Sequence, residues 1–100
     1  MNTYIYIIHD GMNVKVGKSD KPEKRVKSLQ TGNPKNLKII KTFAVPKNKV
    51  FTIEKECHKN LNKIYEKRGE WFSDVDLWDV EVIVESTIES HMTLLIPLSS

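Results

Sequence analysis

The sequence predicts a small α/β domain, an antiparallel sheet of mainly three strands flanked by helices. Three observations carry that expectation. Residues 3–8 and 13–18 alternate apolar and polar side chains with period two, and the turn signal Asp10-Gly11 stands between them. A third β-rich run spans Leu37 to Val45. The remaining segments set apolar residues at helical spacing. One hundred residues, 39% of them hydrophobic, suit a single modest core. Residues 1–90 therefore read as one domain and 91–100 as a short apolar tail.

Asp10-Gly11 supplies the two positive-φ positions of a type I′ turn, whose twist suits antiparallel strands. With those two residues as the loop, Ile8 pairs with Asn13, Ile7 with Val14, Tyr6 with Lys15, Ile5 with Val16 and Tyr4 with Gly17. Side chains alternate across a strand, so Ile5, Ile7, Val14 and Val16 share a core face. Tyr4, Tyr6, Lys15 and Gly17 share the opposite face, which has the composition of a site.

Ser19 or Asp20 is expected to cap a helix over about 21–30, with Pro22 in its first turn and an apolar stripe of Pro22, Val26 and Leu29. Arg25 lies on the flank of that stripe, as a partly buried cation. The turn cluster Thr31-Gly32-Asn33-Pro34 ends the helix. In the third strand Leu37, Ile39, Phe43 and Val45 are expected on one face, and Lys41 breaks the alternation, which predicts a bulge or an edge position. A second helix, about 48–61, buries Val50, Ile53, Cys57 and Leu61 and leaves Glu54 beside the stripe, partly buried. Residues 62–69 read as a charged connection with room for a short helical piece. Ser73 with Asp76 resembles a capping box that opens a last helix to about residue 89; its β-branched residues leave a strand as the alternative.

There is no apolar run near the ~20 residues of a membrane span and no signal-peptide pattern at the start, so no membrane partner is expected. A single cysteine, Cys57, excludes an internal disulfide framework and fits a reducing, intracellular (cytoplasmic) setting; it also argues against a structural zinc site. Charge is unevenly spread. Residues 1–50 hold 11 Lys or Arg against 3 Asp or Glu, and residues 51–100 hold 5 against 10, so +8 and −5 give the net +3. The basic half points to an anionic partner such as a phosphate backbone, or else to a solvated lysine-rich surface.

Tyr4-Ile5-Tyr6, followed nine residues later by Lys15-Val16-Gly17, resembles the hairpin of GIY-YIG nucleases. The compact branch common in phages and large viruses is the most similar. The resemblance continues through Lys18-Ser19, Arg25, Leu29 to Pro34, Glu54 with His58, and Glu70 to Phe72, and covers residues 3–73. Two positions depart from the family's pattern: its first Gly is Tyr4 here, and its second Tyr is Lys15. The resemblance implies a metal-dependent endonuclease that hydrolyses DNA to leave a 5′-phosphate and a 3′-hydroxyl.

In that reading Tyr6 is the general base. A phenol titrates near ~10, too high for neutral pH without help, and Lys15 opposite it would lower that value. Arg25 would hold the scissile phosphate through its planar, permanently charged fork. Glu54 would bind Mg²⁺ or another divalent cation such as Mn²⁺, completed by water and substrate oxygens. Tyr4, Gly17 and His58 support the site, His58 through Glu54, proton transfer or packing. Lys18, Ser19, Lys21, Asn33 and Lys35 are the nucleic-acid contacts. Each has a plain structural alternative: a cross-strand Tyr–Lys pair, a surface arginine, a helix salt bridge, a turn asparagine. Trp71 reads as a core plug ahead of a base-stacking platform, and Glu70 as a further acid or a cap. The alternative function is a catalytically inactive nucleic-acid-binding or protein-interaction module of the same fold. No zinc finger or helix-turn-helix is recognisable, so weak sequence preference, a partner protein or a homodimer through the apolar tail is expected.

Overall fold

The computed structural model describes residues 2–92. The elements are β1 (Asn2–His9), β2 (Val14–Ser19), α1 (Pro22–Thr31), β3 (Lys38–Pro46), α2 (Lys47–Asn62), β4 (Lys67–Arg68), β5 (Trp71–Phe72) and α3 (Leu77–Met92). The strands form one antiparallel sheet in the order β3-β1-β2-β5-β4. The sheet is therefore larger than the three strands expected. Strands of two residues are too short to display an alternating pattern, and β4–β5 replaces the short helical piece expected in the charged connection. Gly69, with φ 61°, occupies the first position of their two-residue loop, where a primed turn requires positive φ.

The β1–β2 register differs from the expected one by two residues. Tyr6 pairs with Gly17, Ile7 with Val16, Ile8 with Lys15 and His9 with Val14, so the loop is the four residues 10–13. The cause is Asp10, which does not take the positive φ that a type I′ turn requires of it. Its carboxylate instead accepts the backbone N–H of Met12 at 3.0 Å and of Asn13 at 2.7 Å, wrapping a wider loop around itself. A shift of two leaves every side chain on its expected face. Ile5, Ile7, Val14 and Val16 do lie in the main core, but Lys15 no longer faces Tyr6.

At β3 the expected bulge is present. Ile7 pairs with Lys41 and Ile8 with Ile39, leaving Ile40 extra on an edge strand. One extra residue reverses the alternation, so Leu37, Ile39, Phe43 and Val45 do not share a face. Leu37 and Ile39 pack with Tyr6 and Ile8 on one side, and Phe43 and Val45 with Ile5 and Ile7 on the other.

The sheet divides two helical layers. On one face α1 brings Val26 and Leu29 onto Tyr6, Ile8 and Leu37. On the other, Ile53, Cys57 and Leu61 of α2 meet Val80, Val84 and Ile88 of α3 over the main core. Burial there pushes the Cys57 thiol up to about 12. The helix starts differ from expectation. Lys21, not Ser19 or Asp20, is the N-cap of α1 and has no side-chain cap bond; the Ser19 hydroxyl accepts the Lys21 N–H, and Asp20 pairs with Lys47 at 3.1 Å. Asp76 alone caps α3, accepting the N–H of Trp78 at 2.9 Å. That helix runs to Met92, past the end expected at about residue 89. No described helix is long and apolar enough to cross a membrane. Of the tail expected over 91–100, residues 93–100 lie outside the described residues.

Candidate active site

Among the described residues, β5 meets β2 at a single pair, Val14 with Phe72. From Lys15 onward the outer side of β2 carries no further strand, and side chains from both faces of the sheet reach that open edge. Tyr6 and Arg25 come from the α1 side, and Glu54 and His58 from α2. With Lys15, Lys18, Lys67 and Glu70 they line a cleft of about 380 Å³. Four cations and two carboxylates leave the cleft at +2, the sign a phosphate requires.

Tyr6 is the most buried of this set, at 2% exposure, followed by Lys15 at 8%. Its ring lies directly over Gly17, and a side chain at that position would overlap the phenol. Burial raises the Tyr6 pKa above 10.0. The Arg25 guanidinium, which donates to the phenol oxygen, works against that rise, as does the Lys18 charge, while Glu54 adds to it. Two expectations are corrected here. Lys15 is not the cation that acts on Tyr6, because the register pairs it with Ile8 and its ammonium lies 3.6 Å from Glu70. Arg25 is exposed rather than partly buried, reaching over the edge of α1 to the phenol.

Glu54 is partly buried, as its place beside the α2 stripe requires, with its side chain 20% exposed. Its carboxylate accepts from Lys18 at 3.3 Å, and the same ammonium sits 5.7 Å from the Phe51 ring. His58 donates from Nε2 to the Val16 carbonyl at 2.6 Å and accepts at Nδ1 from Lys67 at 3.3 Å. Both ring nitrogens are engaged away from Glu54, so His58 ties α2 to the exposed edge of β2 and steadies Lys67. Lys67 was not singled out by the sequence, since its position follows from the two-residue strand β4.

Other expected site residues lie elsewhere. Tyr4 and Lys21 line a separate hollow beside Pro22, and Ser19 lines another with Thr3 and Lys47. Asn33 and Lys35 border a third pocket, with Trp71. Among the described residues no three His, Cys, Asp or Glu side chains group into a protein-only metal cage. The oxygen donors of the cleft, Glu54 and Glu70, suit a hard cation that keeps most of its water.

Comparison with curated proteins and with solved structures gave no significant match. The profile of the T5orf172 domain matches residues 3–88, which include every residue of the cleft and most of the chain. The chain belongs to the T5orf172 domain family.

Proposed function

We propose that this protein is a metal-dependent endonuclease of the GIY-YIG type that hydrolyses DNA phosphodiester bonds. The observation that carries the reading is the convergence of Tyr6, Lys15, Arg25 and Glu54 on one net-positive cleft at the open edge of β2. These are four residue types that phosphodiester hydrolysis can use, drawn from four separate elements, β1, β2, α1 and α2. Arg25 binds the scissile phosphate and, through its bond to the phenol oxygen, holds Tyr6 beside it. Lys15, Lys18 and Lys67 add positive charge where the phosphate sits.

Water attacks phosphorus, the bond from phosphorus to the 3′ oxygen breaks, and the proton of the water passes to Tyr6 Oη. The leaving oxygen takes its proton from solvent. Glu54 would hold the divalent cation, Mg²⁺ or Mn²⁺, and Glu70, which lines the same cleft, would offer a second oxygen donor. When bound, such a cation supplies charge stabilisation to the leaving oxygen. The raised pKa of Tyr6 means that the base form is a minor species at neutral pH, so cleavage is slow there.

One observation favours a second reading, a binding module without cleavage. Both carboxylates of the cleft are ion-paired to lysines, Glu54 to Lys18 and Glu70 to Lys15. Plasmid nicking with and without Mg²⁺ or Mn²⁺, for wild type and Glu54→Gln, separates the two. The nuclease nicks only with the cation and loses nicking in Glu54→Gln while DNA binding survives. Binding by both proteins with nicking by neither establishes the module instead.

A further inference from the structure

A second pocket, of about 450 Å³, opens on the other side of the β4–β5 hairpin. Three structured segments wall it. The 10–13 loop is fixed by Asp10 through Met12 and Asn13. The segment after α1 is fixed by Gln30, which donates to the carbonyls of Asn33 at 3.2 Å and Lys35 at 2.7 Å and accepts the N–H of Leu37 at 2.8 Å. The hairpin itself contributes Arg68 and Trp71.

The chemistry of this pocket differs from that of the cleft. Lys35 and Arg68 are balanced by Asp10 and Asp74, so the pocket is neutral. Asp10, with its side chain 7% exposed, is already engaged by its loop and by Lys35 at 3.8 Å. One open hydrogen-bonding group is the Asn33 amide, whose Oδ1 accepts the Lys35 N–H at 2.9 Å while its Nδ2 bonds no other described residue. Trp71 is half-buried against Ile8 and Leu37 and presents its remaining surface at the pocket. A flat ring, a free amide and no net charge match a planar, neutral group with polar edges.

We infer that this pocket receives the unpaired base of a nucleotide flanking the phosphate held in the cleft, with the base stacked on Trp71 and its edge met by Asn33. The inference rests on the nuclease reading for that phosphate. The hairpin joins the two sites: Lys67 and Glu70 line the cleft while their chain neighbours Arg68 and Trp71 line the pocket. A strand of nucleic acid that occupies both would cross this hairpin, where Arg68, its side chain 76% exposed, can meet a phosphate. A fully paired duplex hides the base face that the pocket takes, so the preferred substrate is single-stranded or has an extruded base.

The test uses the full chain carrying Trp78→Phe, which leaves Trp71 as the sole tryptophan; Trp78 is 74% exposed and borders neither site. A short fluorescently labelled oligothymidylate is titrated without divalent cation, beside an abasic chain of the same length. Trp71 emission should quench in step with binding of the oligothymidylate. The abasic chain should bind roughly 5- to 100-fold more weakly and leave the emission unchanged. Trp71→Phe, which keeps a ring against the core, should retain most of the preference for bases, and Asn33→Ala should lose part of it. Equal affinity for the two chains, or binding without quenching, overturns the inference. Nicking with Mg²⁺ is scored separately. Quenching without nicking retires the nuclease reading and leaves the base pocket standing, whereas nicking without quenching does the reverse.

Discussion

Tyr6 lies across the β1–β2 pair from Gly17, and its ring fills the space that any side chain on Gly17 would need. The ring cannot give way, because Tyr6 is 2% exposed and packs with Ile8 and Leu37. Gly17→Ala should therefore cost about 1–3 kcal/mol of stability through overpacking, and should displace the phenol from Arg25. Urea unfolding measures the first effect and nicking the second. A variant as stable and active as wild type would show that the ring moves freely.

On the nuclease reading, the raised pKa of Tyr6 gives the proposed cleavage a definite pH dependence. The base form grows as pH rises, so the rate should increase about tenfold per unit from neutrality towards the phenol's pKa. Tyr6→Phe should abolish that slope along with most of the activity. A profile that is flat above neutrality would identify a different base.

Lys15 and Arg25 should separate in the same assay. Arg25 donates to the phenol oxygen, so Arg25→Ala should move the pH profile further alkaline and weaken DNA binding by roughly 10- to 100-fold. Lys15 is bonded to Glu70 instead, so Lys15→Ala should weaken binding while leaving the profile where it was. A profile shifted by Lys15→Ala alone would mean that Lys15 turns to Tyr6 in solution.

Asp10 should set part of the acid sensitivity of the fold. Burial pushes its pKa up, but the N–H groups of Asn13 and Met12, the Asn13 amide and the Lys35 charge outweigh it and hold the carboxyl below its usual range. A depressed pKa stabilises the fold above the unfolded value, near ~3.9, and that contribution is lost as pH falls through the lower folded value. Wild type should lose this contribution below about pH 4. Asp10→Asn should show a flatter acid limb and be about 1–2 kcal/mol less stable at neutral pH, read by urea unfolding across pH.

Where the sequence succeeded, period and chain-local chemistry were enough. The alternation of Ile5 and Ile7 with Tyr4 and Tyr6 survives a two-residue change of register, because such a shift preserves the faces. The α2 stripe of Ile53, Cys57 and Leu61 follows from helical spacing, and the bulge beside Lys41 from a broken alternation. Two failures came from a carboxylate that bonds the backbone a few residues on: Asp10 drew the loop wider, and Asp76 alone capped α3.

The sequence by itself determined the α/β character and the faces of the hairpin, because these depend on residue type and on spacing along one element. Tertiary structure alone decided which of them meet. Lys15 went to Glu70 and Arg25 to Tyr6 because the loop at Asp10 set the register and α1 crossed the sheet beside it. Lys67 and Trp71 took their places in the same way, since a strand of two residues has no period to read and takes its position from the neighbours it pairs with.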